Sequence, residues 1–254
     1  MLSVMEKPQR HGAAVKLLLG SGGFRTPERI ALWVEQMRDF VGSALRVLFV
    51  PYALADHDGY VRTMIERGLN ARFELVGIHS VPDPVEAVRK AEAIFVGGGN
   101  TFRLLDSLYR LKLLDPIRDR VRAGMPYLGI SAGTNVACPT IRTTNDMPIV
   151  QPPSLDALGL VSFQINAHYY TGTNFVKQGD EYVQHFGETR DDRIREFHEE
   201  NETPVLGLWE GGILRVEDAD MQLLGSSARL FQRGKSPQDL VAGARLPDLL
   251  CNLA

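Results

Sequence analysis

Residues 93–99 read AIFVGGG and residues 126–133 read PYLGISAG. Each is a short apolar run that stops at glycines, and the two together decide the fold. A run of this length bounded by turn formers suits a strand buried on both faces. The same form recurs upstream in VKLLLGSG (15–22), RVLFVPYA (46–53) and FELVGI (73–78). Between the runs lie amphipathic stretches with helix-start signals. Thr26 before Pro27 opens a helix to Gly42, and Asp83 before Pro84 opens one through Ala91. Residues 57–72, 101–110 and 114–123 carry helical patterning as well. Buried strands alternating with helices predict an α/β fold, a mostly parallel sheet flanked by helices on both faces. Ligands of such folds bind outside the carboxyl ends of the strands. Two of those ends hold Gly97-Gly98-Gly99-Asn100 and Gly129-Ile130-Ser131-Ala132-Gly133.

Beyond the second run the pattern is less regular. VSFQIN (161–166) predicts a strand and 190–200 a charged helix. VLGLWEGGILRVED (205–218) and MQLLGSSARLF (221–231) predict late strands, an antiparallel pair. The polar stretch 169–188 predicts a surface loop. No repeat, low-complexity tract or Pro/Ser-rich linker divides the chain, so residues 15–254 read as a single domain behind a flexible leader at 1–14.

Composition narrows the function classes. The chain has 254 residues, 44% of them hydrophobic and 23% charged, enough for a core of ordinary size. A net charge of −3 provides no basic field for a phosphate backbone, which argues against nucleic acid as a partner. No apolar run is long enough to span a membrane. Two cysteines, Cys138 and Cys251, do not suggest a disulfide framework. The first dozen residues lack the apolar centre of a signal peptide, so the expectation is a cytoplasmic protein acting on a small molecule or peptide.

Ser131 lies in G-x-S-x-G between a predicted strand and a predicted helix. This is the logic of a nucleophile elbow: a sharp turn exposes the hydroxyl, and its neighbours must be small because other backbone passes close by. Gly129, Ala132 and Gly133 meet that demand. The following helix start would aim N–H groups at the site, that of Ala132 among them, to hold an oxyanion. The glycine run at 97–99 lacks the Lys-Ser/Thr of a P-loop and the spacing of a dinucleotide fingerprint. It is either a tight turn or a second oxyanion donor through the N–H of Gly98 or Gly99.

A serine hydroxyl needs a histidine to take its proton and a carboxylate to orient that histidine. Of six histidines, His11 lies in the leader, His57 opens a surface helix, His79 follows a strand, and His185 and His198 stand in charged surroundings. His168 directly follows VSFQIN, at a strand end, and is the candidate base. Two acids compete to orient it. Glu210 stands after VLGLW and before Gly211-Gly212, and Asp146 lies in the polar run Thr143-Thr144-Asn145-Asp146. Asp146 could instead receive a substrate ammonium. The chain order Ser131, His168, Glu210 departs from the serine, acid, histidine order of α/β-hydrolases.

Several of these segments resemble peptidase E, the α-aspartyl dipeptidases. They are VGGGNTFRLL (96–105), GISAGTNVACPTIRTTNDMPIV (129–150), QINAHY (164–169), GETRDDRI (187–194) and VLGLWEG (205–211). The resemblance implies a fold similar to class I glutamine amidotransferases. It implies a serine-type dipeptidase that hydrolyses dipeptides with an N-terminal aspartate, without metal or cofactor, as one catalytic domain, with a homodimer among its assemblies. The family's serine, histidine and glutamate fall on Ser131, His168 and Glu210, and an essential aspartate on Asp146. Its oxyanion donors fall on Gly99 and Ala132. An arginine is suited to the aspartate side chain because its planar fork pairs two oxygens at once. Arg190 is the favoured candidate and Arg142 the other, with Asn100 a further substrate-binding candidate. The chain departs from the family in a longer stretch after His168, and in Ile130 and Thr134 where tryptophan and alanine are usual. Alternatives are a cyanophycinase-like exopeptidase and a non-catalytic ligand-binding protein on the same scaffold. A glutamine amidotransferase is disfavoured, since that family has cysteine at the elbow and its histidine and glutamate two residues apart.

Overall fold

The computed structural model describes residues 15–172, 174–218 and 220–246. The leader at 1–14 and Cys251 lie outside the described residues. Five strands run parallel: β1 (Lys16–Gly20), β2 (Arg46–Val50), β3 (Glu74–Gly77), β4 (Ile94–Val96) and β5 (Tyr127–Ile130). The helices that follow or join them are α1 (Pro27–Val41), α2 (His57–Glu66), α3 (Pro84–Lys90), α4 (Thr101–Arg110), α5 (Leu114–Arg122) and the one-turn α6 (Ala132–Asn135). Next come β6 (Gln164–Tyr169), β7 (Asn174–Gln178), β8 (Glu181–His185), α7 (Arg190–Glu200), β9 (Val205–Trp209), β10 (Ile213–Glu217), β11 (Asp220–Leu224), β12 (Ala228–Phe231) and β13 (Gln238–Leu240).

The main sheet has the order β11-β10-β1-β5-β4-β2-β3, with β10 and β11 antiparallel at one edge. The inner positions of its parallel strands are apolar because each face has its own cover. Leu17, Leu19, Ile94 and Val96 join one core with side chains of α3, α4 and α5. Leu18, Phe95 and Leu128 point the other way, onto Trp33, Met37 and Phe40 of α1. Each such buried Leu, Ile or Phe contributes roughly 1.5–3 kcal/mol. The helix starts follow the sequence signals. Thr26 and Asp83 accept from Arg29 N and Glu86 N, and each is followed by proline in the first turn.

A second sheet, β13-β12-β9-β6, packs into the first of these cores through Ile165, Leu206, Leu208 and Leu230, while α7 covers its other face with Ile194. β6 and β9 are parallel. The two long runs at 205–231 therefore do not form one antiparallel pair. Each breaks in two at its glycines. β9 pairs with β12 in the second sheet, and β10 with β11 in the first.

Three further expectations are corrected. The helix expected over 57–72 stops at Glu66, because Gly68, Ala71 and Arg72 all take positive φ. The strand expected at 161–166 is displaced to Gln164–Tyr169. The stretch 169–188 is not a plain loop, since β7 and β8 form an antiparallel hairpin that pairs with neither sheet. No helix among the described residues is long and apolar enough to cross a membrane.

Candidate active site

Ser131 leaves β5 at its carboxyl end, between β1 and β4. Its φ of 54° and ψ of −108° lie outside the ordinary wells. Such a conformation costs on the order of 1–3 kcal/mol and persists only where the surroundings hold it. Here the Ser131 N–H donates to the Gly20 carbonyl at 2.9 Å. The Thr134 hydroxyl lies 2.8 Å from the same carbonyl and 3.0 Å from that of Gly129. Two glycines answer close approaches: a Cβ on Gly133 would run into the Val96 carbonyl, and one on Gly98 would lie 3.1 Å from Ser131 Cβ. The helix beyond the elbow is a single turn.

His168 does not follow a strand; it sits inside β6, at a bulge between Ala167 and Tyr169, with φ at 57°. A bulge takes one side chain out of the regular alternation. The imidazole meets Ser131, Nε2 to Oγ at 2.8 Å, and its Nδ1 lies 2.6 Å from Glu210 Oε1. A carboxylate only accepts, so Nδ1 carries the proton and Nε2 accepts from the serine hydroxyl. Glu210 leaves the end of β9, the parallel neighbour of β6. The side chains of His168 and Glu210 are 40% and 47% exposed, so solvent reaches the relay.

Asp146 is not a partner of His168. Its Oδ2 accepts from Thr101 N at 2.8 Å, Thr101 Oγ1 at 2.5 Å and Thr144 Oγ1 at 3.2 Å, at the start of α4. The charge thus sits at a helix N-terminus, where backbone N–H groups and the dipole favour it.

The glycine run passes beside the serine. The Gly98 N–H donates to the Tyr60 hydroxyl at 2.7 Å. Burial pushes that phenol up to about 12, so it stays protonated. The N–H groups of Gly99, whose φ is 133°, and of Ala132 have no protein acceptor among the described residues. A cleft of about 160 Å³ opens over Ser131 and His168, walled by Gly22, Phe24, Tyr60, Arg67 and Ile130. Tyr60 escapes a sequence reading because nothing in the α2 pattern separates it from a core tyrosine. The turn after β1 is marked only by its glycines.

The remaining candidates are spread around this centre. Asn100 caps α4, its Oδ1 accepting from Arg103 N at 3.0 Å and its Nδ2 donating to the Met147 carbonyl at 2.9 Å, so its amide is already engaged. Arg142 is exposed and lines a different cleft, with Phe102, Thr144, Arg193 and Phe197. Arg190 opens α7 with its guanidinium 5.3 Å from the centre of the Tyr170 ring, two residues from His168 in the chain. Its Nε is buried without a partner, and it forms no ion pair among the described residues. Neighbouring Asp191 is taken by the Tyr169 hydroxyl and Arg229. Burial lowers the Arg190 pKa, the mark of a cation that has lost water without gaining an anion.

The chain is 49% identical over 219 residues to Peptidase E of Streptomyces coelicolor, covering 85% of this chain and 87% of the relative. It is also 49% identical over 219 residues to the Drosophila melanogaster protein named "Probable alpha-aspartyl dipeptidase", covering 85% and 88%. The crystal structure of a peptidase from an acI-B1 Actinobacterium superposes with a TM-score of 0.63, covering 92% of this chain and 98% of that one; at 17% identity the likeness is one of fold. Residues 16–224 match the model of peptidase family S51. That span runs from β1 through β11 and takes in Ser131, His168 and Glu210, and the chain belongs to peptidase family S51, as a serine-type peptidase.

Proposed function

We propose that the protein is a dipeptidase that removes an N-terminal aspartate through an acyl-enzyme on Ser131. The observation that carries the reading is the unbroken relay from Ser131 Oγ to His168 to Glu210, at 2.8 and 2.6 Å, with the N–H groups of Gly99 and Ala132 left without a protein acceptor among the described residues. In this mechanism His168 Nε2 takes the serine proton as Oγ attacks the carbonyl of the aspartyl residue. The N–H groups of Gly99 and Ala132 hold the oxyanion. The imidazolium, steadied by Glu210, gives its proton to the leaving amine, and water activated by the same histidine releases aspartate.

The names of the relatives support dipeptides and aspartate as the substrate class. Arg190 supports it from the chain itself: a half-buried guanidinium without a carboxylate gains most from an anionic side chain. We read residues 15–254 as one catalytic domain, supported by the core that both sheets share. The parallel sheet with its nucleophile on a central strand supports kinship with the class I glutamine amidotransferases. The small cysteine count supports a cytoplasmic setting.

The test is hydrolysis of Asp-Leu beside Ala-Leu, Glu-Leu and β-linked Asp-Leu. Cleavage of Asp-Leu alone, abolished in Ser131→Ala, is expected. Arg190→Ala is expected to lower kcat/KM for Asp-Leu at least about a hundredfold, the loss of a charged pairing. A Ser131→Ala enzyme that still turns over would overturn the nucleophile. An Arg190→Ala enzyme that keeps its preference for aspartate would overturn the specificity.

A further inference from the structure

Ser21, the first residue beyond β1, belongs to neither the relay nor the oxyanion donors, yet it is fully buried and bonded to the two strands that carry His168 and Glu210. Its hydroxyl accepts from the His168 N–H at 2.8 Å and donates to the Leu208 carbonyl at 2.8 Å. Leu208 lies on β9, two residues before Glu210. The bulge takes His168 out of the β6–β9 register, in which Ala167 pairs with Leu208 and Tyr169 with Trp209. A buried N–H outside the ladder needs another acceptor, and the Ser21 oxygen is that acceptor.

The backbone around it repeats the connection. Ser21 N–H donates to the Gly212 carbonyl at 2.9 Å, and Gly211 N–H donates to the Gly22 carbonyl at 2.8 Å. The turn therefore clasps the residues that follow Glu210. It also lies flush with the side chains: a Cβ on Gly22 would stand 2.6 Å from His168 Cε1, and one on Gly23 would strike the Glu210 carboxylate. One hydroxyl with one lone-pair contact and one proton is matched to one orphaned donor and one carbonyl, on the two strands whose relative position sets the imidazole–carboxylate geometry.

We propose that Ser21 is a positioning residue for catalysis, fixing the bulged backbone of His168 against the strand of Glu210 so that the imidazole meets Ser131 in reactive alignment. The proposal rests on the reading of Ser131, His168 and Glu210 as the catalytic relay, but not on the substrate. Catalysis responds steeply to such placement, since a misalignment of about 1 Å can lower a rate about a hundredfold.

The experiment compares wild type, Ser21→Ala, Ser21→Cys and a stability control in α5, Ile117→Val. Three readings are taken: kcat and KM on Asp-Leu, the rate at which a fluorophosphonate labels Ser131, and the downfield proton resonance of the His168 Nδ1–H held by Glu210. Ser21→Ala is expected to stay folded, with kcat and labelling rate both lowered about a hundredfold and KM within about twofold. Its downfield proton should be broadened or lost. Ser21→Cys, which fills the space with a weaker hydrogen-bonding atom, should fall between. Ile117→Val should lose stability with wild-type kcat. A folded Ser21→Ala with wild-type labelling rate and an unchanged downfield proton overturns the proposal. Were Ser21→Ala unable to fold, Ser21→Cys decides: slowed labelling with a broadened proton supports the proposal, and wild-type values of both overturn it. Labelling and the proton resonance do not use a dipeptide, so a wild type inactive on Asp-Leu would overturn the substrate reading and leave Ser21 to be judged by those two.

Discussion

Glu210 and Asp146 are both acids in polar turns, and both could be drawn beside His168 from sequence. Distance separates them. Glu210 accepts from the imidazole, while Asp146 ties Thr101 at the head of α4, two residues beyond Gly99. The two should therefore fail differently. Glu210→Gln keeps the shape but loses the charge that steadies the imidazolium, and kcat is expected to fall by about 10²–10⁴ with the melting temperature unchanged. Asp146→Asn removes a charged acceptor from a helix N-terminus and a threonine hydroxyl, at a cost of about 1–3 kcal/mol. Its activity should fall together with its melting temperature, because the glycine run loses its anchor. Steady-state kinetics and thermal melts on both variants check this. A Glu210→Gln enzyme that melts well below wild type would recast Glu210 as a structural residue. Arg190 shows the converse: its place in GETRDDR leaves open a pairing with Asp191, and only the structure shows Asp191 engaged by Tyr169 and Arg229.

Helix α7 sets Arg190 against the Tyr170 ring, and its first turn is built as a capping box. Thr189 Oγ1 accepts from Asp192 N at 3.2 Å, and the Asp192 carboxylate accepts from Thr189 N at 2.9 Å. The backbone bond, then the hydroxyl, of Thr189 holds the Asp192 pKa down to about 2. An unfolded aspartate titrates near about 3.9. A carboxylate whose folded pKa is depressed stabilises fully above the unfolded value, and that contribution disappears as pH falls toward the folded one. The difference in melting temperature between wild type and Asp192→Asn should therefore be greatest above about pH 4 and close as pH approaches about 2. A difference that persists unchanged at the acid end would show that the box does not depend on the charge. At the elbow, too, local sequence goes only part of the way. Gly129, Ala132 and Gly133 could be read as small residues, but the helix they open is one turn because the chain departs at Val136 to build the loop that carries Asp146.

Both sheets feed one core, with Leu17 and Leu19 of β1 packed in the same cluster as Leu206 and Leu208 of β9. The proposed relay straddles that junction, Ser131 from the first sheet and His168 and Glu210 from the second. Neither sheet is expected to lose its packing while the other keeps it. Unfolding followed by circular dichroism, tryptophan fluorescence and fluorophosphonate reactivity of Ser131 should show coincident transitions. A loss of Ser131 reactivity well before the bulk transition would mean that the sheets separate first. The β7–β8 hairpin stands outside this unit, paired only with itself and exposing Phe175, Tyr182 and Phe186.

Local order was legible wherever a short-range cause produced it. The five parallel strands, the caps of α1 and α3, the elbow serine and the residue types of the relay all follow from runs, spacings and turn formers within a few positions of one another. The sequence alone determined the fold class and singled out Ser131 and His168 as candidates. The tertiary structure decided the rest, because it depends on residues far apart in the chain. It divided the late strands between two sheets and moved His168 from a strand end into a bulge whose N–H is held by Ser21, 147 positions away. It gave the Gly98 N–H to Tyr60, leaving that of Gly99 without a protein acceptor among the described residues, and gave His168 to Glu210 rather than Asp146. A hydrogen bond needs its partners within about 3 Å, and that closeness exists only once long-range packing has set the strands.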